Sequence, residues 1–407
     1  MTSTSTSQPI SAAKRMQVFF LLFMTMFLLG SIQTTKGLVL EQVQYDIEIS
    51  LTLLGTVMSF FQWGFTLAAL VTGYMTDKKG VRYMMLVGSG LMAGGLIMTG
   101  MAGSAAFFLG FYMIVGIGIG SMMTAICSVI PKLFSKEASM LFNVGNAFFG
   151  VGLIIAPFLL NALFSNDITW RYFYYGIAAI VILMMAVMST LNVENSAKSE
   201  TLSINNAMLV LKDRQVAILI AFFMFYVAME AAFFNFFPLF ISGLDIDGMS
   251  AADKTAKAAG VLGMFGFMFT AFRFAGGYIT RFFGEKRTLV IFSGLALISL
   301  ILGILFAEQA IYLFMAFGVG LSLLWTTAQT IITRGTDKEG TVIGLTYVAA
   351  GFGGVIAGQV VGTLSDVYGT TAGFSSLIVF GAIAFILALM VKSPESQVSA
   401  TMQEQNA

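Results

Sequence analysis

Long apolar runs separated by short polar breaks fill nearly the whole chain. A helix needs about 20 such residues to cross a bilayer, where no water is present to satisfy the backbone. Cutting at charged or Gly/Pro/Asn-rich breaks leaves twelve runs: residues 16–40, 50–75, 83–103, 107–130, 140–164, 170–192, 215–242, 256–283, 288–306, 309–333, 341–365 and 371–391. The pattern predicts an all-α membrane protein with twelve transmembrane helices. Outer-membrane strands would alternate over about ten residues, and these runs are longer. Lys14 and Arg15 ahead of residues 16–30 imitate a signal peptide, but no small-residue cleavage site follows and eleven further spans do. This run reads as the first span.

The longest interior polar stretch, residues 192–214, divides the spans six and six. Gly73-Tyr-Met-Thr-Asp77-Lys-Lys-Gly80 recurs as Gly277-Tyr-Ile-Thr-Arg281-Phe-Phe-Gly284, 204 residues later. The same offset places Ser89-Gly90-Leu91 on Ser293-Gly294-Leu295 and carries the first six spans onto the second six. Two six-helix repeats follow, as in one large class of secondary transporters. The expected organisation is a tail over 1–15, a bundle over 16–192, a linker over 193–214, a second bundle over 215–391 and a tail over 392–407.

Composition sharpens this picture. Hydrophobic residues make up 58% and charged residues 10%, against about 25% charged in an ordinary soluble domain. The net charge of +1 provides no general attraction to nucleic acid. Histidine is absent, so imidazole metal sites and histidine proton relays are excluded, and proton chemistry falls to carboxylates. Cys127 is the single cysteine, so no intramolecular disulfide forms. Of the 21 Lys and Arg, only Lys36, Arg171, Lys254 and Lys257 fall on one side of the spans, and Arg273 lies within one; the other sixteen share the opposite side. That side is predicted to be cytoplasmic, with both termini and the linker. The expected setting is the inner membrane.

The stretch Gly73-x-x-x-Asp77-x-x-Gly80-x-Arg82 resembles the loop 2–3 signature of the major facilitator superfamily, and the resemblance covers nearly the whole chain. The second copy, with Gly277 and Gly284, is degenerate, since Arg281 replaces the aspartate. Here the resemblance implies a gate motif rather than a substrate site. Glycine permits tight turns and close helix approach, and Asp77 can cap helix termini or pair with cytoplasmic cations. Within the superfamily, the second half is similar to the fucose–galactose–glucose proton symporters: Phe225-Tyr-Val-Ala-Met-Glu230, Gly248-Met-Ser-Ala, Phe272-Arg273-Phe-Ala-Gly-Gly277, and Gly353-Gly354 through Ser365-Asp366. The first half departs from that group. Gly37 and Met123 stand where its fucose carrier has acidic residues on helices 1 and 4. Lys36 with Arg273 is more similar to the monocarboxylate carriers, although Phe269 replaces their helix 8 acid.

An ionisable group near the bilayer centre costs about 2.5–3.5 kcal/mol on insertion scales, which makes it a functional candidate. Glu230 lies 15 residues past Gln215, roughly 22 Å along a helix, and is the candidate proton carrier; the alternative is a structural glutamate tied to a neighbouring helix. Arg273, roughly 12 Å before Arg281, can bind a carboxylate or hydroxyls through its fork, or serve a fixed structural pairing. Lys36 falls near the outer boundary, from which it can snorkel. Family architecture lines the cavity with helices 1, 4, 7 and 10. It brings in Gln33 and Lys36; Ser121, Thr124 and Ser128; Tyr226; and Ser322, Trp325 and Gln329. Gly116-Ile-Gly118-Ile-Gly120 lies within a span and reads as close helix packing, not a nucleotide fingerprint. The Phe and Met abundance reads as lipid-facing and core filler.

The expected function is proton-coupled uptake of a small polar solute such as a monosaccharide, by rocking of two halves in a monomer. Glu230 would couple the proton, and Gln33, Lys36, Thr124, Tyr226, Arg273, Trp325 and Gln329 would bind solute. No cofactor, metal or catalytic constellation is expected, and the proton gradient would drive transport. The alternatives are uptake of a small organic anion by Lys36 and Arg273, and multidrug export.

Overall fold

A computed structural model describes residues 11–134, 138–191, 204–246, 248–334 and 339–392. Twelve helices are long and apolar enough to cross a membrane. They are α1 (Ala12–Ile47), α2 (Leu51–Lys79), α3 (Val81–Gly100), α4 (Ala105–Leu133), α5 (Ala138–Phe164) and α6 (Trp170–Ser189), then α7 (Arg214–Ser242), α8 (Ala251–Phe283), α9 (Glu285–Leu305), α10 (Leu313–Arg334), α11 (Glu339–Tyr368) and α12 (Thr370–Met390). A short helix, Ile204–Leu211, precedes α7. Among the described residues there is no strand. An even number of crossings puts the start of α1 and the end of α12 on one face, called here the terminal face; the other is the distal face.

The helices of the second half pack as those of the first do. In the first half α1 lies on α5, α2 and α3 lie on α4, and α3 lies on α6. In the second, α7 lies on α11, α8 and α9 on α10, and α9 on α12. The motif glycines make matching turns. Gly80 has φ 92° and Gly284 φ 81°, and their N–H groups donate to Thr76 and Thr280. A side chain at either place would be strained, because positive φ favours glycine.

The helix ends depart from the expected ones where polar residues are buried in protein. α1 runs to Ile47 rather than to residue 40. Glu41 does not end the span, because it is buried against Thr255 of α8. Helix α8 begins at Ala251, five residues early. Ser250 and Asp253 form a capping box, which satisfies N–H groups left open at a helix start. α10 begins at Leu313 and breaks at Leu323.

The halves meet along α2–α11, α5–α8 and α1–α7. Near the distal face the first seam is backbone against backbone. A Cβ on Gly55 would overlap the carbonyl oxygen of Gly358; in the α1–α7 seam, one on Gly37 would meet the carbonyls of Phe234 and Asn235. Towards the terminal face the halves part around a cavity of about 1780 Å³ between α5, α8, α9 and α10. Arg281, Lys286, Arg287 and Arg334 stand along it near the terminal face, and Arg273 and Asn146 lie deeper. The protein is therefore closed distally and open terminally. This explains two glycines that do not behave as expected. A Cβ on Gly73 or Gly277 would meet nothing within 4 Å, so neither makes a close helix approach in this state.

The phenylalanines do more than face lipid. On the distal part of α7, Phe233 packs against Phe234, Phe237, Phe265, Phe314, Phe317 and Phe374, with ring centroids 4.9–6.1 Å away. Tilted and edge-on pairs of this kind add about 0.5–1.5 kcal/mol each beyond burial. They tie α7, α8, α10 and α12 into one body.

Candidate functional site

Helix α7 places Tyr226 and Glu230 one turn apart on one face. The buried tyrosine hydroxyl donates to Glu230 Oε1 at 2.7 Å, and Glu230 is half-buried. Helix α1 brings Gln33 and Lys36 together in the same way. Lys36 Nζ donates to Gln33 Oε1 at 2.7 Å and sits 3.9 Å from the centre of the Phe61 ring on α2. Lys36 is 3% exposed, and Glu230 of the other half is within electrostatic range of it. The expectation that it snorkels to the outer boundary is therefore corrected. α1 continues eleven residues beyond it, and the ammonium turns inward to an amide oxygen and an aromatic face.

Arg273 on α8 is held at the break in α10. Leu323 interrupts that helix, and the carbonyl of Ser322 accepts from Arg273 Nε at 3.0 Å. Carbonyls at a helix end lack an intrahelical partner, and the guanidinium supplies one. Arg273 Nη1 donates to Asn146 Oδ1 on α5 at 3.1 Å, which crosses between the halves. The guanidinium stacks 4.2 Å from the Phe269 ring centre and also faces Tyr226 and Glu230. Phe269 thus supports the cation with its π face.

Trp325 follows the break and is half-buried among Phe223, Tyr226 and Tyr347, with centroids at 4.8, 6.4 and 5.4 Å. Gln329 accepts from Thr346 Oγ1 at 3.4 Å, and its buried Nε2 has no partner among the described residues. These residues from α1, α5, α7, α8 and α10 form one polar centre at the boundary of the halves.

Other expected residues lie elsewhere. Ser121 is buried between α2 and α4, where Thr72 donates to it at 3.2 Å. Ser128 bonds back to Ala125 on its own helix. Thr124 is half-buried, with no hydrogen bond to the centre among the described residues. Arg82 is exposed beyond the Gly80 turn, and the Asp77 side chain lies outside the described residues.

Asn146, Phe61, Phe269 and the Ser322 carbonyl were not among the expected site residues. Asn146 was legible only as a polar residue in an apolar run. The Ser322 carbonyl has no sequence signal at all. Among the described residues no cluster of three metal-ligating side chains occurs.

The model of the Major Facilitator Superfamily matches residues 18–358 and 261–406. The chain belongs to that superfamily. It is thus a multi-pass membrane transporter of small solutes and not an enzyme. Among curated relatives, it is 21% identical over 380 residues to a protein TsgA homolog of Buchnera aphidicola subsp. Baizongia pistaciae, covering 90% of this chain and 93% of that one. Among solved structures, the nucleoside transporter NupG superposes with a TM-score of 0.75 at 16% identity, covering 94% of this chain and 98% of that one. A D-xylose–proton symporter superposes at 0.76 and 15%, covering 93% and 97%. At these identities the likeness is one of fold.

Proposed function

We propose that this transporter couples protons to uptake of a small polar solute, with a monosaccharide or similar hydroxylated molecule first among candidates. The carrying observation is Glu230 near the boundary of the halves, hydrogen-bonded to Tyr226 and within electrostatic range of Lys36 of the opposite half. An ionised Glu230 attracts Lys36 across the boundary, and a protonated one does not. Protonation state and the fit between the halves are therefore linked. Solute binds in the same centre: Gln33, Gln329 and Arg273 offer directed polar groups, and Trp325 offers an apolar face for a ring. The similar solved structures include a D-xylose–proton symporter, which supports this order of preference.

The terminal face is cytoplasmic in this reading, since sixteen of the 21 Lys and Arg lie there. The protein acts as a monomer in the inner membrane, with the proton gradient as its energy source and no bound cofactor. The proton enters on Glu230 from the distal side, the distal face closes over solute, and the terminal cavity releases both. The test is Glu230→Gln in proteoliposomes. Binding and exchange of solute should persist while accumulation against a gradient is lost. Accumulation equal to wild type would overturn the coupling role.

A second reading has its own observation. Two deep cations, Lys36 and Arg273, face one carboxylate, and Gln329 Nε2 is an unspent donor. Such a surplus of donors suits a small organic anion. Thermal unfolding with monosaccharides, and with carboxylates matched to their neutral amides, separates the two. A ligand at 100 times its Kd adds about 2.7 kcal/mol.

A further inference from the structure

The two symmetry-related seams finish differently at the distal face. α8 caps its own start: Ser250 Oγ accepts from the Asp253 N–H at 3.2 Å, and Asp253 Oδ2 accepts from the Ser250 N–H at 3.1 Å. α2 also begins after a serine, and Ser50 Oγ accepts from the Leu53 N–H at 3.2 Å. Its third residue is Leu53, however, so the acidic half of a capping box is missing. The open N–H groups of Leu51 and Thr52 donate instead to Asp366 Oδ1 and Oδ2, at 2.8 and 2.7 Å. Asp366 sits in the last turn of α11, in the other half of the protein. Its carboxylate also lies at the positive end of the α2 dipole.

Further bonds cross the same seam below it. Gln359 Nε2 donates to Thr56 Oγ1 at 3.2 Å, and Ser59 Oγ donates to the carbonyl of Val355 at 2.9 Å. Along α5–α8, the cross-half hydrogen bond among the described residues is the one from Arg273 to Asn146, deep in the centre. Separating the halves distally therefore leaves α8 with its whole capping box, while α2 keeps the Ser50 bond and loses the acceptors of Leu51 and Thr52.

We propose that Asp366 is the distal latch of the transport cycle: it caps α2 across the boundary only while the distal face is shut, and so positions the halves for terminal opening. This rests on the alternating-access reading but not on the solute. Removing a cap residue shifts a helix equilibrium by about two- to thirty-fold. Asp366→Ala should raise the distally open fraction by that factor, and Asp366→Asn, which keeps one acceptor oxygen and loses the charge, by less. Ser250→Ala removes a cap within one half and should leave the fraction unchanged.

The measurement is the distance distribution between spin labels on the distal loops of the two halves, at Ser104→Cys and Glu308→Cys, in the full chain carrying Cys127→Ser in nanodiscs. A longer distance that grows in Asp366→Ala, and to a smaller extent in Asp366→Asn, supports the latch. If Asp366→Ala does not fold, Asp366→Asn carries the test. The latch is overturned if the Asp366 variants match wild type, or if Ser250→Ala shifts the fraction as much. One unchanging distance in wild type with and without a proton gradient, and in the variants, would instead overturn alternating access.

Discussion

The α2–α11 and α5–α8 seams occupy equivalent places in a repeated fold, yet they are made of different material. Towards the distal face the first is backbone on backbone, with Gly55, Gly358 and Gly362 in mutual contact; further in, Gly351 meets the Thr66 side chain just as Gly150 meets Thr270 in the second. The distal part of the second carries more side chain: Gly263 lies against the Phe158 ring, Gly266 meets both backbone and Cβ of Leu153, and deeper in Arg273 reaches Asn146. The difference shows how two like halves divide the labour. A seam with little side-chain bulk can close as a unit and be latched at its end. A seam of side chains can hold a charged group at its centre and still adjust around it.

The strongest way to break this comparison is bulk in the backbone seam. Gly55→Val pushes two side-chain methyls at the Gly358 carbonyl, which has no rotamer to escape through. The distal face should fail to close, and initial solute uptake in proteoliposomes should fall at least tenfold, while gel filtration shows intact protein. Uptake near wild type would mean that the seam yields.

Next in size is the charged group in the other seam. Arg273→Lys keeps the charge but cannot reach Ser322 and Asn146 as a fork does. Lost bonds to a charged donor cost about 1.5–3 kcal/mol. A lower unfolding midpoint is expected, together with weaker ligand stabilisation. If ligand stabilisation is unchanged while the midpoint falls, Arg273 is purely structural.

The smallest effect should come from Gly263→Ala. Its new methyl meets the Phe158 ring, and that side chain is 47% exposed and able to turn aside. Alanine also favours a helix interior by about 1 kcal/mol over glycine. The unfolding midpoint should stay within a degree or two of wild type or rise. A large fall would show that the α5–α8 seam is as rigid as its counterpart.

Legibility of the site followed the range of the interactions. Tyr226 with Glu230, and Gln33 with Lys36, were readable as pairs because one helical turn brings each pair together. Ser250 and Asp253 are equally local, but the start of α8 was read from the apolar run alone and fell five residues late. Lys36 was misjudged because its depth depends on how far α1 continues, and that depends on what Glu41 meets on α8. Asp366 stood out only as part of a helix 11 ending. Its bonds to Leu51 and Thr52 span more than 300 positions.

By itself, the sequence determined the twelve helices, their two-fold repetition and the glycine turns at Gly80 and Gly284. Those follow from the absence of water in a bilayer and from backbone sterics, which act over a few residues at a time. Only the tertiary structure decided which face is closed, that Arg273 completes the break in α10, and that the first two N–H groups of α2 find their acceptor on α11. Each of these depends on groups far apart in the chain, whose meeting no local pattern specifies.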